Sequence, residues 1–272
     1  MKSMLIKNDE EIKKMRKVGK LAAEVLDMIE SHIVHNITTE EINQICHNYI
    51  IKKQKSIPAC LGYNGYPKSI CTSVNDVVCH GIPNIKQKLK EGDIINIDVA
   101  LIHNGYHSDT SKMFILGKPS ILSKRLCHVA QESLYLALNL IKPNMPLYEI
   151  GQAIEKYVKK QKFSVVKEYC GHGIGKNFHE EPQILHCDNR DPGIILKPGM
   201  TFTIEPMINT GSNQVRCMKD GWTIKTKDHG LSAQYEHTIL VTDKSCEILT
   251  LRKEEKIDQI LNINNKNLKY TQ

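Results

Sequence analysis

The 272-residue sequence predicts an α/β fold built from two related halves around one shared site. The first observation is an internal repeat: residues 89–98 recur as 196–205, with a leucine, a turn glycine and a final acidic residue at matching positions. The second is that residues 36–52 are matched in type and spacing by residues 144–160. The third is that each half reads as two helices followed by strands. Each copy is therefore expected to deliver an acidic residue to a common centre.

Two helices are predicted at the start of the first half. Apolar residues recur at helical spacing from Asn8 to Ile29, with polar residues on the opposite face. Thr38 and Glu41 form a capping box, and the apolar stripe over residues 42–50 predicts a second helix directly after it.

The second half is expected to repeat this order. Helices are predicted from Ser123 to about residue 141 and from Pro146, a favoured type of first helical residue, to about residue 161. Residues 200–209 and 232–241 are predicted to be the equivalent strands, each with one glutamate near its centre.

A strong hairpin signal lies in the first half. The dipeptide Asn104-Gly105 separates two apolar, β-branched runs, as in a two-residue hairpin loop. That loop places Asp98 opposite Ser111 and Asp109 opposite Ala100, so both aspartates project from one face as diagonal neighbours about 7–8 Å apart at the backbone. Their carboxylates are therefore expected to converge.

Residues 1–251 are expected to form a single domain, because a duplication with a site between its copies favours one unit. Its halves would span about residues 1–120 and 121–251. Residues 252–272 are rich in Lys, Glu and Asn, so we expect a frayed polar tail without a chemical role.

Composition argues against several classes of protein. The N-terminus has no apolar signal segment, and no stretch approaches the ~20 apolar residues of a membrane span, so no membrane partner is expected. Nine cysteines without a Cys-x-x-Cys pair indicate reduced thiols and a cytoplasmic location. The formal charge is +7, but the lysines are spread along the chain without an aromatic-interleaved basic cluster. Specific nucleic-acid recognition is therefore not expected.

Five side chains are candidate metal ligands: Asp98, Asp109, His172, Glu205 and Glu236. An isolated acidic residue in a strand more often marks a turn or a bulge. Here Asp98 and Glu205 both follow an isoleucine in strongly apolar strands, where an unpaired carboxylate is costly to desolvate. A shared divalent cation is the simplest partner for them.

Two further histidines accompany these ligands. His179 follows His172 by seven residues, among glycines that favour a loop over a helix. The His179-Glu180 pair lacks the second histidine of a helical zinc motif. Histidines exposed on a surface loop are the alternative interpretation of this segment. His80 is followed by glycine and isoleucine, as His172 is, and so occupies the corresponding place in the first half.

The chain resembles the type I methionine aminopeptidases, whose duplicated α/β architecture is called the pita-bread fold. The resemblance covers residues 4–251 and rests on the flanks of all five candidate ligands. These are Asn96-Ile97-Asp98-Val99, Asp109-Thr110-Ser111, Gly171-His172-Gly173-Ile174-Gly175, Thr203-Ile204-Glu205-Pro206 and Tyr235-Glu236-His237-Thr238. The short spacing between His179 and Glu205 is typical of the short bacterial form.

The resemblance implies removal of the N-terminal methionine from nascent chains, with a preference for a small second residue. It implies two divalent metal ions bridged by Asp109 and Glu236, with Asp98 on one ion and His172 and Glu205 on the other. This oxygen-rich ligand set suits Co, Mn, Fe or Zn. The same resemblance assigns a proton shuttle to Glu205, an oxyanion contact to His179 and a contact with the scissile amide to His80.

The resemblance also implies a methionine pocket of soft sulfur and aromatic groups. Besides His80 and His179, its side chains are Cys60, Tyr63, Tyr66, Cys71, Phe178 and Trp222. A monovalent cation is implied near main-chain oxygens of Asn75, Val77 and Ser232.

One position departs from the family pattern. Where the family commonly has a threonine two residues after the first ligand, this chain has Ala100. Because our predicted register places Ala100 opposite Asp109, we expect a weaker orientation of the metal-binding carboxylates.

Two alternative functions share the expected fold. One is a proline-directed aminopeptidase, whose relatives usually carry a large additional N-terminal domain. The other is a catalytically inactive, ribosome-associated binding protein, for which five buried metal ligands would have no physical purpose. The favoured enzyme is expected to be a monomer with at most transient ribosome contact.

Overall fold

The computed structural model describes residues 6–190 and 193–261. Its α-helices are α1 (Asp9–Ile29), α2 (Thr39–Asn48), α3 (Ile121–Leu140), α4 (Tyr148–Lys160) and α5 (Ile257–Leu261). Its strands are β1 (Ile57–Pro58), β2 (Cys71–Val74), β3 (Val77–Cys79), β4 (Ile94–His103), β5 (Tyr106–Ile115), β6 (Ser164–Val165), β7 (Gly171–Gly173), β8 (Glu180–Ile184), β9 (Thr201–Ile204), β10 (Met207–Asn209), β11 (Val215–Cys217), β12 (Ile224–Thr226), β13 (Ser232–Gln234), β14 (His237–Val241) and β15 (Cys246–Ile248). In the part of the chain so described, no helix has the length and apolar character needed to cross a membrane.

The helices of the first half lie where they were predicted, and both begin at a capping box. Asn8 caps α1 and forms a capping box with Glu11, and Thr38 and Glu41 form the predicted box at α2. Each box satisfies N–H groups that have no partner within the helix.

The helices of the second half begin at slightly different residues than predicted. Helix α3 starts earlier, because Ser120 is its cap and accepts a hydrogen bond from the Ser123 N–H. Helix α4 starts two residues after Pro146, because Pro146 forms a β-bridge with Ile195 and is held in extended structure. A side-chain cap therefore sets the start of α3, and a β-bridge sets the start of α4.

The hairpin of β4 and β5 has the predicted register. Asn104 and Gly105 form its loop with positive φ angles of 50° and 77°, as a two-residue type I′ turn requires. Asp98 is paired with Ser111, and Ala100 is paired with Asp109. The two aspartates are therefore diagonal neighbours on one face of the hairpin.

The two strands predicted in the second half are each interrupted at their glutamate. Residues 200–209 divide into β9 and β10 around Glu205, and residues 232–241 divide into β13 and β14 around Glu236. The prediction of continuous strands was wrong because Pro206 has no N–H to donate to a sheet and the Glu236 N–H donates instead to the Ser111 carbonyl, at 3.0 Å. The interruptions leave the glutamates outside the ladders.

Each pair of helices packs on the sheet of its own half. Helix α1 contributes Met15 and Val25 to a core shared with β4 of the four-stranded sheet β1-β4-β2 with β5. Helices α3 and α4 contribute Leu134 and Ile154 to a core shared with β9 of the five-stranded sheet β15-β14-β9-β7-β8. Strands β5 and β14 meet between the halves, which places the candidate ligands at the junction.

The segment after residue 251 is not frayed over its described part. Arg252 is only 2% exposed and is among the largest fully buried side chains, and Ile260 of α5 packs into the core of the second half. The expectation of a tail without tertiary contacts is therefore wrong for residues 252–261. Residues 262–272 lie outside the described residues. The division at residue 251 into domain and tail remains a prediction.

Candidate metal centre

The five predicted ligands converge from both halves. One possible ligand atom from each of Asp109, His172 and Glu236 lies within 4.8 Å of the others. Nε2 of His172 lies 3.7 Å from Asp109 Oδ2 and 3.8 Å from Glu205 Oε1. The carboxyl groups of Asp98 and Asp109 are within hydrogen-bonding reach of each other. The hairpin supplies two of these groups, and the interrupted strands and β7 supply the other three.

His172 is oriented as a metal-binding imidazole. Its Nδ1 lies 3.0 Å from the carbonyl of Gly173, and a carbonyl only accepts, so Nδ1 carries the proton and donates it. The lone pair of Nε2 then faces the carboxylates. Burial lowers the pKa of His172 to about 4, so the ring is neutral at pH 7. A ring nitrogen that donates to a carbonyl while the other faces the ligands is the usual arrangement around a bound metal.

Glu205 is held by three different groups. The Thr203 hydroxyl donates to Oε1 at 2.9 Å, and the Gln234 side chain donates to Oε2 at 3.2 Å. Its main-chain N–H donates to Nε2 of the buried His186 at 3.1 Å. Thr203 Oγ1 also accepts the His172 N–H at 3.0 Å, which ties two candidate ligands together. The Glu205 carboxylate is thus fixed in position before any ion binds.

The electrostatics of the centre fit a divalent cation. Burial, and then the neighbouring acidic groups, raise the pKa of Asp98, Glu205 and Glu236 well above the usual range, and burial raises that of Asp109. One oxygen each of Asp98, Asp109 and Glu236 is buried without a hydrogen-bond partner. Such groups are costly unless a cation compensates them, and oxygens with one imidazole form a suitable donor set for a hard or borderline metal.

A cavity of 710 Å³ opens onto this centre. It is lined by twelve of the predicted site residues: Cys60, Tyr63, Tyr66, Cys71, His80, Asp98, Asp109, His172, Phe178, His179, Glu205 and Trp222. Glu236 is 1% exposed and lies behind the cavity surface. The predicted methionine pocket and the predicted ligands therefore share one cavity.

Aromatic edges shape the wall of the predicted methionine pocket. Tyr63 meets Phe178 edge to face at 5.0 Å between ring centroids, and Tyr66 meets Trp222 in the same way at 5.1 Å. Both arrangements are favourable for rings in contact. The hydrogen bond between the Cys60 and Cys71 side chains raises the pKa of the Cys60 thiol well above its usual range, and burial adds to that rise. Cys60 therefore remains a neutral thiol, which suits an apolar pocket.

His80 and His179 both lie at the cavity and are both neutral. Desolvation first, and then neighbouring histidines, lower the pKa of each ring. Nδ1 of His179 lies 2.8 Å from the Tyr63 hydroxyl. His80 has a positive φ of 56°, an uncommon backbone conformation of the kind found at functional sites.

The positions predicted for a monovalent cation also lie together. The Ser232 N–H donates to the Asn75 carbonyl at 2.9 Å, and the strand that begins at Val77 contacts the strand that begins at Ser232. The hydroxyl oxygen of Ser232 is buried without a hydrogen-bond partner, as is the side-chain oxygen of its strand partner Asn209.

Reasoning from the sequence missed several residues that surround the centre. They are Tyr169, Gln183 and Met207 in the cavity wall, and Thr203, His186, Gln234 and Arg252 behind the ligands. Thr203 and Tyr169 lie two and three residues from predicted ligands, which was a usable signal. His186 and Arg252 lie in segments with no recognisable pattern.

The chain was compared with known proteins and structures. Residues 13–243 match the model of "Metallopeptidase family M24". A methionine aminopeptidase from Buchnera aphidicola subsp. Acyrthosiphon pisum is 66% identical over 96% of this chain and 100% of its own length. The methionine aminopeptidase of Escherichia coli K12 is 61% identical over 94% of this chain and 97% of its own.

Solved structures agree with the predicted pita-bread fold. The crystal structure of methionine aminopeptidase from Rickettsia prowazekii has a TM-score of 0.88 and 49% identity, covering 90% of this chain and 99% of that chain. The prolidase from Pyrococcus furiosus has a TM-score of 0.72 at 22% identity, covering 93% of this chain and 67% of that chain, and so shares the fold alone. The predicted fold and the predicted resemblance are therefore confirmed, and the chain belongs to metallopeptidase family M24.

Proposed function

We propose that this chain is a methionine aminopeptidase, a metal-dependent hydrolase that removes the N-terminal methionine from nascent polypeptides and favours a small second residue. The observation that carries the proposal is the single cavity in which the ligand cluster adjoins a pocket of thiols and aromatic rings. An unbranched thioether fits such soft, polarizable surroundings. The names of relatives that match over nearly their whole length support the same activity.

We infer that the centre binds two divalent metal ions, with Asp109 and Glu236 shared between them. Asp98 would serve one ion, and His172 and Glu205 would serve the other. The donor set is compatible with Co, Mn, Fe or Zn. Bound metal would acidify the attacking water and polarise the scissile carbonyl.

Glu205 would move the proton of the reaction. Its carboxylate faces the cavity and is held at both oxygens, by Thr203 and Gln234. A fixed carboxylate within reach of the attacking water accepts its proton and then delivers it to the leaving amine.

His179 and His80 would bind the scissile amide. Both rings are neutral, so each has one N–H to donate and one nitrogen to accept. His179 would donate to the developing oxyanion, because its Nδ1 is occupied by the Tyr63 hydroxyl and its Nε2 remains for the substrate. His80 would contact the amide nitrogen.

Four further assignments belong to this proposal. A monovalent cation would bind near the main chain of Asn75, Val77 and Ser232, where the unpartnered Ser232 oxygen supports a nearby ion. The enzyme would work in the cytoplasm as a monomer. Its contact with ribosomes would be transient, because its positive charge is dispersed over the chain.

The test uses metal-stripped protein with Met-Ala-Ser and Ala-Pro-Ser peptides. Mn, Fe, Co or Zn is added in turn, and the released amino acid is quantified. Release of methionine that depends on metal is expected, with Glu205→Gln as the variant without turnover. Release of alanine would instead favour the proline-directed alternative, and no release with any metal would favour the inactive binding protein.

A further inference from the structure

The guanidinium of Arg252 lies directly behind the strands that carry Asp109 and Glu236. Its side chain is fully buried, and Nη1 donates to Thr110 Oγ1 at 3.2 Å, to the Ser111 carbonyl at 3.2 Å and to the Glu236 carbonyl at 3.3 Å. Two of these acceptors belong to the first half of the chain and one to the second. One nitrogen of Arg252 therefore bridges the two halves next to the ligands.

Other hydrogen bonds also cross the junction that Arg252 covers. We call residues 109–111 and 236–238 the seam. At one end of it, the Thr238 hydroxyl accepts from the Asp109 N–H at 3.1 Å and donates to the Asp109 carbonyl at 2.7 Å. Next to this pair, the Glu236 N–H donates to the Ser111 carbonyl at 3.0 Å, and the Thr110 hydroxyl donates to the Glu236 carbonyl at 2.8 Å. Arg252 gives both of these carbonyls a second donor. The spacing of the seam sets the spacing of the Asp109 and Glu236 carboxylates, because each is attached to the seam backbone.

The charge of Arg252 is anchored on the side away from the ligands. Nη2 donates to Glu255 Oε1 at 2.6 Å and lies 3.1 Å from His237 Nε2. The Tyr135 hydroxyl of α3 donates to the same Glu255 oxygen at 2.7 Å. The Glu255 side chain is 2% exposed, so this is a buried, multiply bonded ion pair. Such pairs are costly to bury and are better suited to defining geometry than to adding stability.

The shape of the guanidinium matters at this junction. It is a rigid planar fork, and it bonds main-chain carbonyls on both sides of the seam at once. Lysine in its place would keep the charge but present a single point donor.

We propose that Arg252 is a positioning residue that holds the Asp109 and Glu236 carboxylates at metal-binding distance by clamping the seam. This inference rests on the proposed metal-dependent function. It assigns to the segment at 252–255 a role in metal affinity. Arg252 itself touches neither the cavity nor the ligand carboxylates among the contacts of the described residues.

The test compares metal binding by wild-type and Arg252→Lys protein, both as full chains stripped of metal. Isothermal titration with Mn²⁺ measures affinity directly, without reference to turnover. Arg252→Lys is expected to lose 10- to 100-fold in affinity, the scale known for groups that orient metal ligands. Affinity within twofold of wild type would overturn the proposal. It would show that a buried positive charge is enough to position the carboxylates and that the planar guanidinium is not needed.

A matched control separates positioning from general destabilisation. Ile154→Ala removes buried side-chain atoms of α4 in the core of the second half and leaves every ligand residue unchanged, and it should lower the melting temperature of the metal-free protein. The rise in melting temperature on adding Mn²⁺ should be unchanged in Ile154→Ala and diminished in Arg252→Lys, because that rise reports affinity. An equal loss of the rise in both variants would contradict the positioning role.

A second variant keeps the test available if Arg252→Lys does not fold. Glu255→Gln leaves the guanidinium in place and removes its charged anchor. A three- to tenfold loss of Mn²⁺ affinity is expected, and no loss would count against the clamp. Failure of the wild-type protein to bind Mn²⁺, Fe²⁺, Co²⁺ or Zn²⁺ would instead refute the proposed metal function, and this inference with it.

Discussion

The hydroxyl of Tyr63 lies 2.8 Å from Nδ1 of His179, and the two rings are in contact at 5.1 Å between centroids. A neutral imidazole has one donor and one acceptor nitrogen. When Tyr63 donates to Nδ1, the proton of His179 is on Nε2. In that arrangement Tyr63, a residue of the predicted methionine pocket, selects the form of His179 that can donate to the substrate.

Tyr63→Phe is therefore expected to reduce kcat more than it raises KM. It removes one hydrogen bond and keeps the ring in the pocket wall, so the loss should be about two- to tenfold, equivalent to about 0.5–1.5 kcal/mol. Steady-state kinetics on Met-Ala-Ser checks this. Tyr169→Phe is the matched control, because Tyr169 lines the same cavity and its hydroxyl makes no hydrogen bond with any of the described residues. Equal losses in both variants would argue against the pairing.

His179→Ala is expected to depress kcat by about 10²–10³, the scale of losing one oxyanion donor. Metal affinity should be unaffected, because His179 is not among the five ligands. Single-turnover rates and a Mn²⁺ titration on the same preparation check the two statements separately. A nearly normal single-turnover rate would show that His179 does not stabilise the oxyanion. A large loss of affinity for Mn²⁺ would indicate that His179 is a metal ligand.

Ala100→Thr is expected to improve metal affinity or turnover by at most about tenfold, the low end for groups that orient ligands. Ala100 is fully buried and paired with Asp109, one of whose oxygens has no hydrogen-bond partner. A threonine hydroxyl there would supply a donor. Ile102→Thr, two residues along the same strand face, is the control. Affinity and turnover equal to wild type in Ala100→Thr would refute the expectation.

Lys7→Met is expected to destabilise the protein by about 3 kcal/mol, because it leaves a buried carboxylate without its cation. Lys7 lies 2.7 Å from Glu180, and both side chains are at most 5% exposed. Urea unfolding checks this, with Lys7→Met/Glu180→Gln expected to recover most of the loss. Lys13→Met, which disrupts an exposed pair with Glu10, should change stability little. No difference between Lys7→Met and Lys13→Met would contradict the prediction.

The contribution of Glu255 to the stability of the protein should be lost in acid. Burial alone would raise the pKa of Glu255, but His237 and Arg252 outweigh burial and hold it well below its usual range. The stabilisation is thus present above the unfolded pKa near 4.5 and is lost as the pH falls below it.

Glu255→Gln should therefore lower the free energy of unfolding at pH 7, and its difference from wild type should shrink between pH 5 and pH 3. Urea unfolding at each pH measures that difference. Glu247→Gln, which disrupts the more exposed pair with Arg16, is the control. A difference that stays constant with pH would show that the carboxylate charge contributes nothing.

The sequence by itself determined the fold class, the hairpin register and which five side chains converge at one centre. These depend on local information: Asn104-Gly105 permits one tight loop, and that loop determines which residues of β4 and β5 are paired. The capping box of Thr38 and Glu41 likewise located the start of α2, because each of these side chains bonds the backbone N–H of the other, three residues away. The duplicated segments, together with the resemblance they share, indicated which carboxylates belong to one centre.

Only the tertiary structure decided how those carboxylates are held. The interruption at Glu236 arises because the Glu236 N–H bonds across the seam to Ser111, a partner more than 120 positions away. The buried positions of His186 and Arg252 depend in the same way on groups brought near by folding. A local pattern records helix ends and strand alternation, whereas these hydrogen bonds exist only after the two halves have packed together.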